Sequence, residues 1–213
     1  MSVHRFRQRE NTPATFLEKE SEPPKLSDRA FDNLRFIRET MERSTAFTAV
    51  SGYGGALMGA TAIGAAIIAS QQTSTKYWLI TWLAEAVLAL AIGVLAMWQK
   101  AKIIDAKLFS TPTRKFALGF APPIFAGIAL TIVFYKHNLN DLLPTVWLLI
   151  YGAAVMTGGM FSVKPIPIMG AMILSLGVIS AISPPEYGNI LMALGFGVLQ
   201  IIFGVIIGRK FGG

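Results

Sequence analysis

One carboxyl group stands alone in an apolar run. Glu85 lies about nine positions into "KYWLITWLAEAVLALAIGVLAMWQK" (76–100), and no further charge appears until Lys100 closes the stretch. An ionised carboxylate in hydrocarbon costs about 2.5–3.5 kcal/mol. Such a group is therefore neutral, paired, or open to water. It is the residue of this chain whose surroundings most clearly invite chemistry, as a proton or cation site or as a clamp on a ligand headgroup. The plain alternative is a neutral acid packed between helices.

Other chemistries lack their residues. The chain has no cysteine, which excludes thiolate nucleophiles, disulfide exchange, iron–sulfur clusters and cysteine-bound zinc. Its two histidines, His4 and His137, stand in polar segments outside the apolar runs, so neither a bis-histidine haem nor a histidine-rich metal site is expected. No apolar run carries a central lysine for a retinal Schiff base. Neither a phosphate-binding GxxxxGK[ST] loop nor a GxSxG elbow occurs. The expectation is a protein that is not an enzyme, with no catalytic residue, no metal and no cofactor.

The elements that must position Glu85 follow from hydropathy. Of the 213 residues 53% are hydrophobic, and mean hydropathy is +0.53, too high for a soluble domain. Charges gather in the first 45 residues and between long apolar stretches. Six stretches, about 46–70, 77–98, 115–135, 142–162, 166–183 and 188–208, are long enough to cross or nearly cross a hydrocarbon core about 30 Å thick. The predicted fold is all-α, a six-transmembrane-helix bundle over 46–210. A disordered cytoplasmic tail over 1–26 and an amphipathic cytoplasmic or interfacial helix over 27–45 precede it. The first 25 residues lack an apolar core and a cleavage site, so no removable signal peptide is expected.

Lysine and arginine set the orientation. With the N-terminus inside, nine fall in 1–45, five in 99–115, one at Lys164 and two at Arg209 and Lys210, against Lys76 and Lys136 outside. That bias predicts both termini in the cytoplasm of a bacterial inner-membrane protein. The formal charge of +7 flanks spans instead of striping a folded domain, which argues against nucleic acid as a partner.

Depth then selects partners for Glu85. At a rise of about 1.5 Å per residue, Thr61 and Ser175 stand near its level, Tyr151 slightly deeper and Gln200 deeper again. No lysine, arginine or histidine shares that depth, so hydroxyls and an amide are the expected company. Pro122 and Pro123, inside the third stretch, each remove a backbone donor and predict a kink or break in the helix, with carbonyls near Leu118 and Gly119 seeking partners. The first stretch, "TAFTAVSGYGGALMGATAIGAAIIAS", is rich in small residues, including Gly55-x-x-x-Gly59, and the sixth carries Gly204-x-x-x-Gly208. Both suit close helix packing, within one chain or in a homo-oligomer.

In 27–45, Phe31, Leu34, Ile37 and Met41 recur at three- and four-residue spacing, with charges on the other face. This helix either lies on the membrane surface or docks a membrane or cytoplasmic protein partner. Two segments, "NLRFIRETMERSTAFTAVSGYGGALMG" and the C-terminal third beginning "LIYGAAVMTGGMFSVKPIPIMGAM", resemble a family of small bacterial six-span integral membrane proteins to which no activity is attached. The resemblance runs from about residue 27 to the C-terminus. It implies the same topology, and a setting beside small winged-helix regulators hints at a regulated membrane or stress role. Two functions remain in view: a sensor, scaffold or accessory subunit that binds a lipid or a membrane-protein partner, and a small proton- or ion-coupled transporter or channel that uses Glu85.

Overall fold

A computed structural model describes residues 31–37, 50–103 and 110–211. The chain divides into two units, residues 1–40 and residues 41–213. In the first, 31–37 are helical, with Phe31, Leu34, Phe36 and Ile37 all exposed. The remainder of the expected 27–45 helix, and the expected tail, lie outside the described residues.

The second unit is built of six long apolar helices: α1 (Gly52–Ser70), α2 (Thr75–Ile103), α3 (Thr111–Lys136), α4 (Leu143–Gly159), α5 (Pro165–Ile182) and α6 (Pro185–Phe211). All six have the length and apolarity to cross a membrane, which makes this an all-α six-span bundle. A single 3₁₀ turn, Asn140–Leu142, leads into α4. The first stretch of 46–70 is described only from residue 50. Elsewhere the helix ends fall within a few residues of the apolar stretches, because polar caps and turns mark them. Ser51 Oγ accepts from Gly54 N at 3.1 Å and opens α1. Ser110 caps α3 in the same way, with Pro112 in the first turn where its missing donor is not needed. At the end of α3, Asn138 takes a positive φ of 58°, a conformation asparagine tolerates, and this turns the chain into α4. The helix α2 has 29 residues and spans about 44 Å, which exceeds a hydrocarbon core and requires tilt or projection beyond it.

Small residues decide which helices meet. Without a hydrophobic drive between helices in lipid, close backbone approach and interhelical hydrogen bonds hold a bundle together. A Cβ on Gly59 would stand 2.6 Å from Gly197 O, and one on Gly204 would stand 2.6 Å from Gly52 O. The glycine-rich faces of α1 and α6 are therefore filled by each other, within one chain. A second face of α1 receives α2, with Met58 Sδ only 3.2 Å from the Cβ position of Gly93. On the other side α4 packs against α5, where a Cβ on Gly177 would meet Leu149 at 2.8 Å. It packs against α3 through Gly119 and Gly158. The pairing order is thus α2–α1–α6–α5–α4–α3, with α6 also touching α4.

The two outer members of that order, α2 and α3, pair mainly with α1 and α4 respectively. Near one end of the bundle Ala101 of α2 packs against Phe116 of α3. This is the Lys100 end of the bundle, and the opposite is the Trp78 end.

The expected break at Pro122 and Pro123 does not occur. The helix α3 runs continuously from Thr111 to Lys136 with both prolines inside. Pro123 cannot donate to Gly119 O, but Thr157 Oγ1 of α4 lies 2.8 Å from that carbonyl and 2.8 Å from Ala153 O of its own helix, so its hydrogen is shared between the two. The partner helix thus offers a donor to the carbonyl that Pro123 leaves open, and the helix continues.

Candidate functional site

Glu85 faces α1. It is 8% exposed, and its Oε1 lies 2.9 Å from Thr61 Oγ1. Thr61 Oγ1 is also 2.8 Å from Met58 O and 3.4 Å from Leu57 O in its own helix. One hydroxyl hydrogen serves one strong acceptor at a time. Two arrangements fit these distances: Thr61 donates to a carboxylate, or it donates to Met58 O while a protonated Glu85 donates to Thr61 Oγ1. The threonine can thus accommodate either form of the acid. Among the described residues, Glu85 Oε2 has no hydrogen-bond partner.

Tyr151 and Gln200 form a second pair. Gln200 Nε2 of α6 donates to the Tyr151 hydroxyl of α4 at 2.6 Å. Gln200 is 6% exposed, and its Oε1 lies 4.0 Å from the Cβ position of Gly55. Thr61 stands six residues further along α1, about 9 Å closer to the Trp78 end. The expected cluster therefore resolves into two pairs, Glu85–Thr61 and Gln200–Tyr151. Ser175 belongs to neither. It is exposed and donates to Ala171 O of its own helix at 2.9 Å. Its depth suited Glu85, but α5 turns Gly170 and Gly177 toward α4, and Ser175 lies exposed on another face of the helix.

A chain of aromatic rings runs across the bundle beside these pairs. It passes from Trp78 to Trp82 (6.5 Å between ring centroids), to Phe196 (6.1 Å), Tyr151 (5.1 Å), Phe120 (6.0 Å) and Phe116 (5.9 Å). Four helices supply it. Phe196, Tyr151 and Phe120 remain partly exposed. Around Phe196 the backbone of α6 leaves the α-helical pattern for a π-helical segment, Ala193–Val198. Such segments are often found at functional sites.

Asn189 anchors the Trp78 end. Its Oδ1 accepts from Trp82 Nε1 at 3.1 Å and from Trp78 Nε1 at 3.3 Å, while its Nδ2 donates to Ala66 O at 2.9 Å. This one amide joins α1, α2 and α6. Sequence reasoning passed over it, because Asn189 follows "PPEYG" and reads as part of a polar turn. The available signal was the four-residue spacing of Trp78 and Trp82, which places two indole donors on one face of α2. At the other end, Lys100 is buried (4% exposed) and donates to Val50 O at 2.9 Å and Phe211 O at 3.0 Å. Its ammonium ties the approach to α1 to the carbonyl end of α6, where the helix dipole favours a cation.

Between α3 and α4, Trp147 Nε1 donates to Thr131 Oγ1 at 2.9 Å, and Thr131 Oγ1 donates to Gly127 O at 2.8 Å. No three His, Cys, Asp or Glu side chains converge among the described residues. Comparison with protein-family models, with curated proteins and with solved structures finds no match.

Proposed function

We propose that this chain is a non-enzymatic membrane protein that takes an apolar guest, a lipid acyl chain included, into the side opening between α2 and α3. The supporting observation is the placement of the aromatic chain. Phe196 and Tyr151 sit on the central helices α6 and α4, yet both are partly exposed. The helices that would cover them, α2 and α3, pair with α1 and α4 instead of extensively with each other, and among the described residues Ala101 packs against Phe116. On this reading the space between α2 and α3 opens sideways onto lipid, with the aromatic chain as its floor. Apolar cavities with a few polar groups are the common form of a small-molecule site, and here the polar groups are the Gln200–Tyr151 pair and Glu85.

On this reading the chain is a binding or accessory protein of a bacterial inner membrane with both termini cytoplasmic. Transport gains support from Glu85 and the π-helical segment. It loses the broken third helix, since Thr157 offers a donor to the carbonyl that Pro123 leaves free.

The test is photocrosslinking in reconstituted vesicles with a phosphatidylcholine that bears a diazirine on one acyl chain. Adducts mapped by peptide mass should fall on Phe196, Tyr151 and Phe120 as well as on the outward faces of α2 and α3. Adducts confined to residues such as Val87, Leu90 and Phe125, which are exposed by 65–71%, would remove the proposal.

A further inference from the structure

We propose that the preferred guest of this opening is a lipophilic cation, held by the Glu85 carboxylate and by the faces of Trp82 and Phe196; the inference rests on the side opening proposed above. Glu85 follows Trp82 by three residues on the same face of α2, and both are 8% exposed. Trp82 meets Phe196 at 6.1 Å. Glu85 therefore stands within about one helical turn of Trp82, whose ring meets Phe196 on the floor of the proposed opening. Ring faces attract cations, most strongly when water is excluded. A lone buried carboxyl completes the recognition, since a bulky organic cation needs a counter-charge that the hydrocarbon cannot give.

The surroundings favour a cation over an anion or a neutral guest. On α1 the titratable group is Tyr53, near the Lys100 end. On α6 the charged groups are Glu186, close to the Trp78 end, and Arg209 and Lys210, close to the Lys100 end. On α2 itself Lys76, Lys100 and Lys102 stand at the ends, and α4 brings the Tyr151 phenol. Among the described residues no cationic side chain stands at the level of Glu85. The carboxyl has one oxygen on Thr61, and among the described residues the other, Oε2, meets no hydrogen-bond donor. Thr61 can switch its hydrogen between Met58 O and the carboxylate, so ionisation of the acid needs no repacking.

The binding step is an exchange. Protonated Glu85 releases one proton to solvent, the carboxylate remains in place, and one monovalent cation takes up the counter-charge. Charge in the site is unchanged, no covalent bond to the guest forms, and no redox partner is needed. Affinity for the cation should therefore rise with pH while the acid is protonated, approaching tenfold per unit.

Titration calorimetry on the full chain in detergent micelles, with tetraphenylphosphonium as probe and with two buffers of different ionisation enthalpy, tests this. The expected result is one cation bound per chain with nearly one proton released. Glu85→Gln should lower affinity at least a hundredfold, Glu85→Asp should retain part of it, and Phe196→Leu should weaken binding about threefold to thirtyfold. Tetraphenylborate, the anion of matching shape, should not bind at the site. Absence of binding by the unaltered chain, equal affinity in Glu85→Gln, or equal binding of tetraphenylborate would each overturn the inference. If Glu85→Gln does not fold, the comparison of the two probe ions on the unaltered chain still decides the matter. Lipid adducts on Phe196 alongside failure with tetraphenylphosphonium would reject the cation while leaving the opening in place.

Discussion

At the scale of single residues, polar side chains in this bundle act by joining helices. Lys100 is the strongest case. Its ammonium meets two backbone carbonyls, from Val50 and Phe211, in a buried position. Hydrogen bonds to a charged group contribute about 1.5–3 kcal/mol each. Lys100→Met keeps much of the stem's packing but leaves both carbonyls without this donor. We expect its melting temperature in detergent to fall by several degrees, and an unchanged melting curve would show that the contacts carry little. Asn189→Leu should also destabilise, by about 0.6–1.7 kcal/mol for each interhelical hydrogen bond lost, with a shift in tryptophan emission as Trp78 and Trp82 lose their acceptor. Depth placed Thr61 among several groups near the level of Glu85, since helical rise sets level reliably. Ser175 shared that level without joining the pair, because level says nothing about the direction a side chain takes around its helix. That direction depends on which face of α5 the glycines give to α4.

Helices, at the next scale, are placed by where a Cβ can and cannot fit. Gly59 has no room, with Gly197 O at 2.6 Å and Ile201 Cγ1 at 2.8 Å from its Cβ position, whereas nothing lies within 4 Å of that position at Gly64. Gly59→Ala should therefore cost about 1–3 kcal/mol through forced displacement of α6. Gly64→Ala should be neutral or stabilising, because alanine favours the helix. Chemical denaturation of the two variants in mixed micelles checks both, and equal behaviour would contradict the close packing of α1 on α6. The small-residue pattern was readable in "GYGGALMGATAIG", and so was its need for close neighbours. Its partner was not, because several other spans also carry glycines. The prolines of α3 show a different limit. Sequence identifies the missing donors, but the outcome depended on Thr157 of α4, whose position follows from packing. Thr157→Val should expose that dependence as increased amide exchange around residues 118–121 and 124. Exchange unchanged from the parent chain would show that Gly119 O needs no such partner.

For the whole molecule, hydropathy and charge carried most of the architecture. Long apolar stretches separated by short polar segments left few arrangements other than a six-span bundle. The natively cysteine-free chain also makes orientation simple to examine. Single cysteines introduced by Asn138→Cys and Ser162→Cys should label from opposite sides with an impermeant maleimide, Asn138→Cys from outside in intact cells. The reverse pattern would invert the orientation read from lysine and arginine. The separation of α2 from α3 could not be read in this way. It follows from the sum of several pairings, in which α1 holds α2, α4 holds α3, and α6 lies between.

That separation is the centre of the account, and fluorine NMR examines it with little disturbance. 4-Fluorophenylalanine would be placed singly at Phe196, at Phe125 (71% exposed) and at Phe203 (8% exposed), in bilayers containing a nitroxide-bearing phospholipid. With α2 and α3 apart, the fluorine at Phe196 should broaden like that at Phe125. A sharp line matching that at Phe203 would mean that lipid does not reach the ring, and would contradict a side opening.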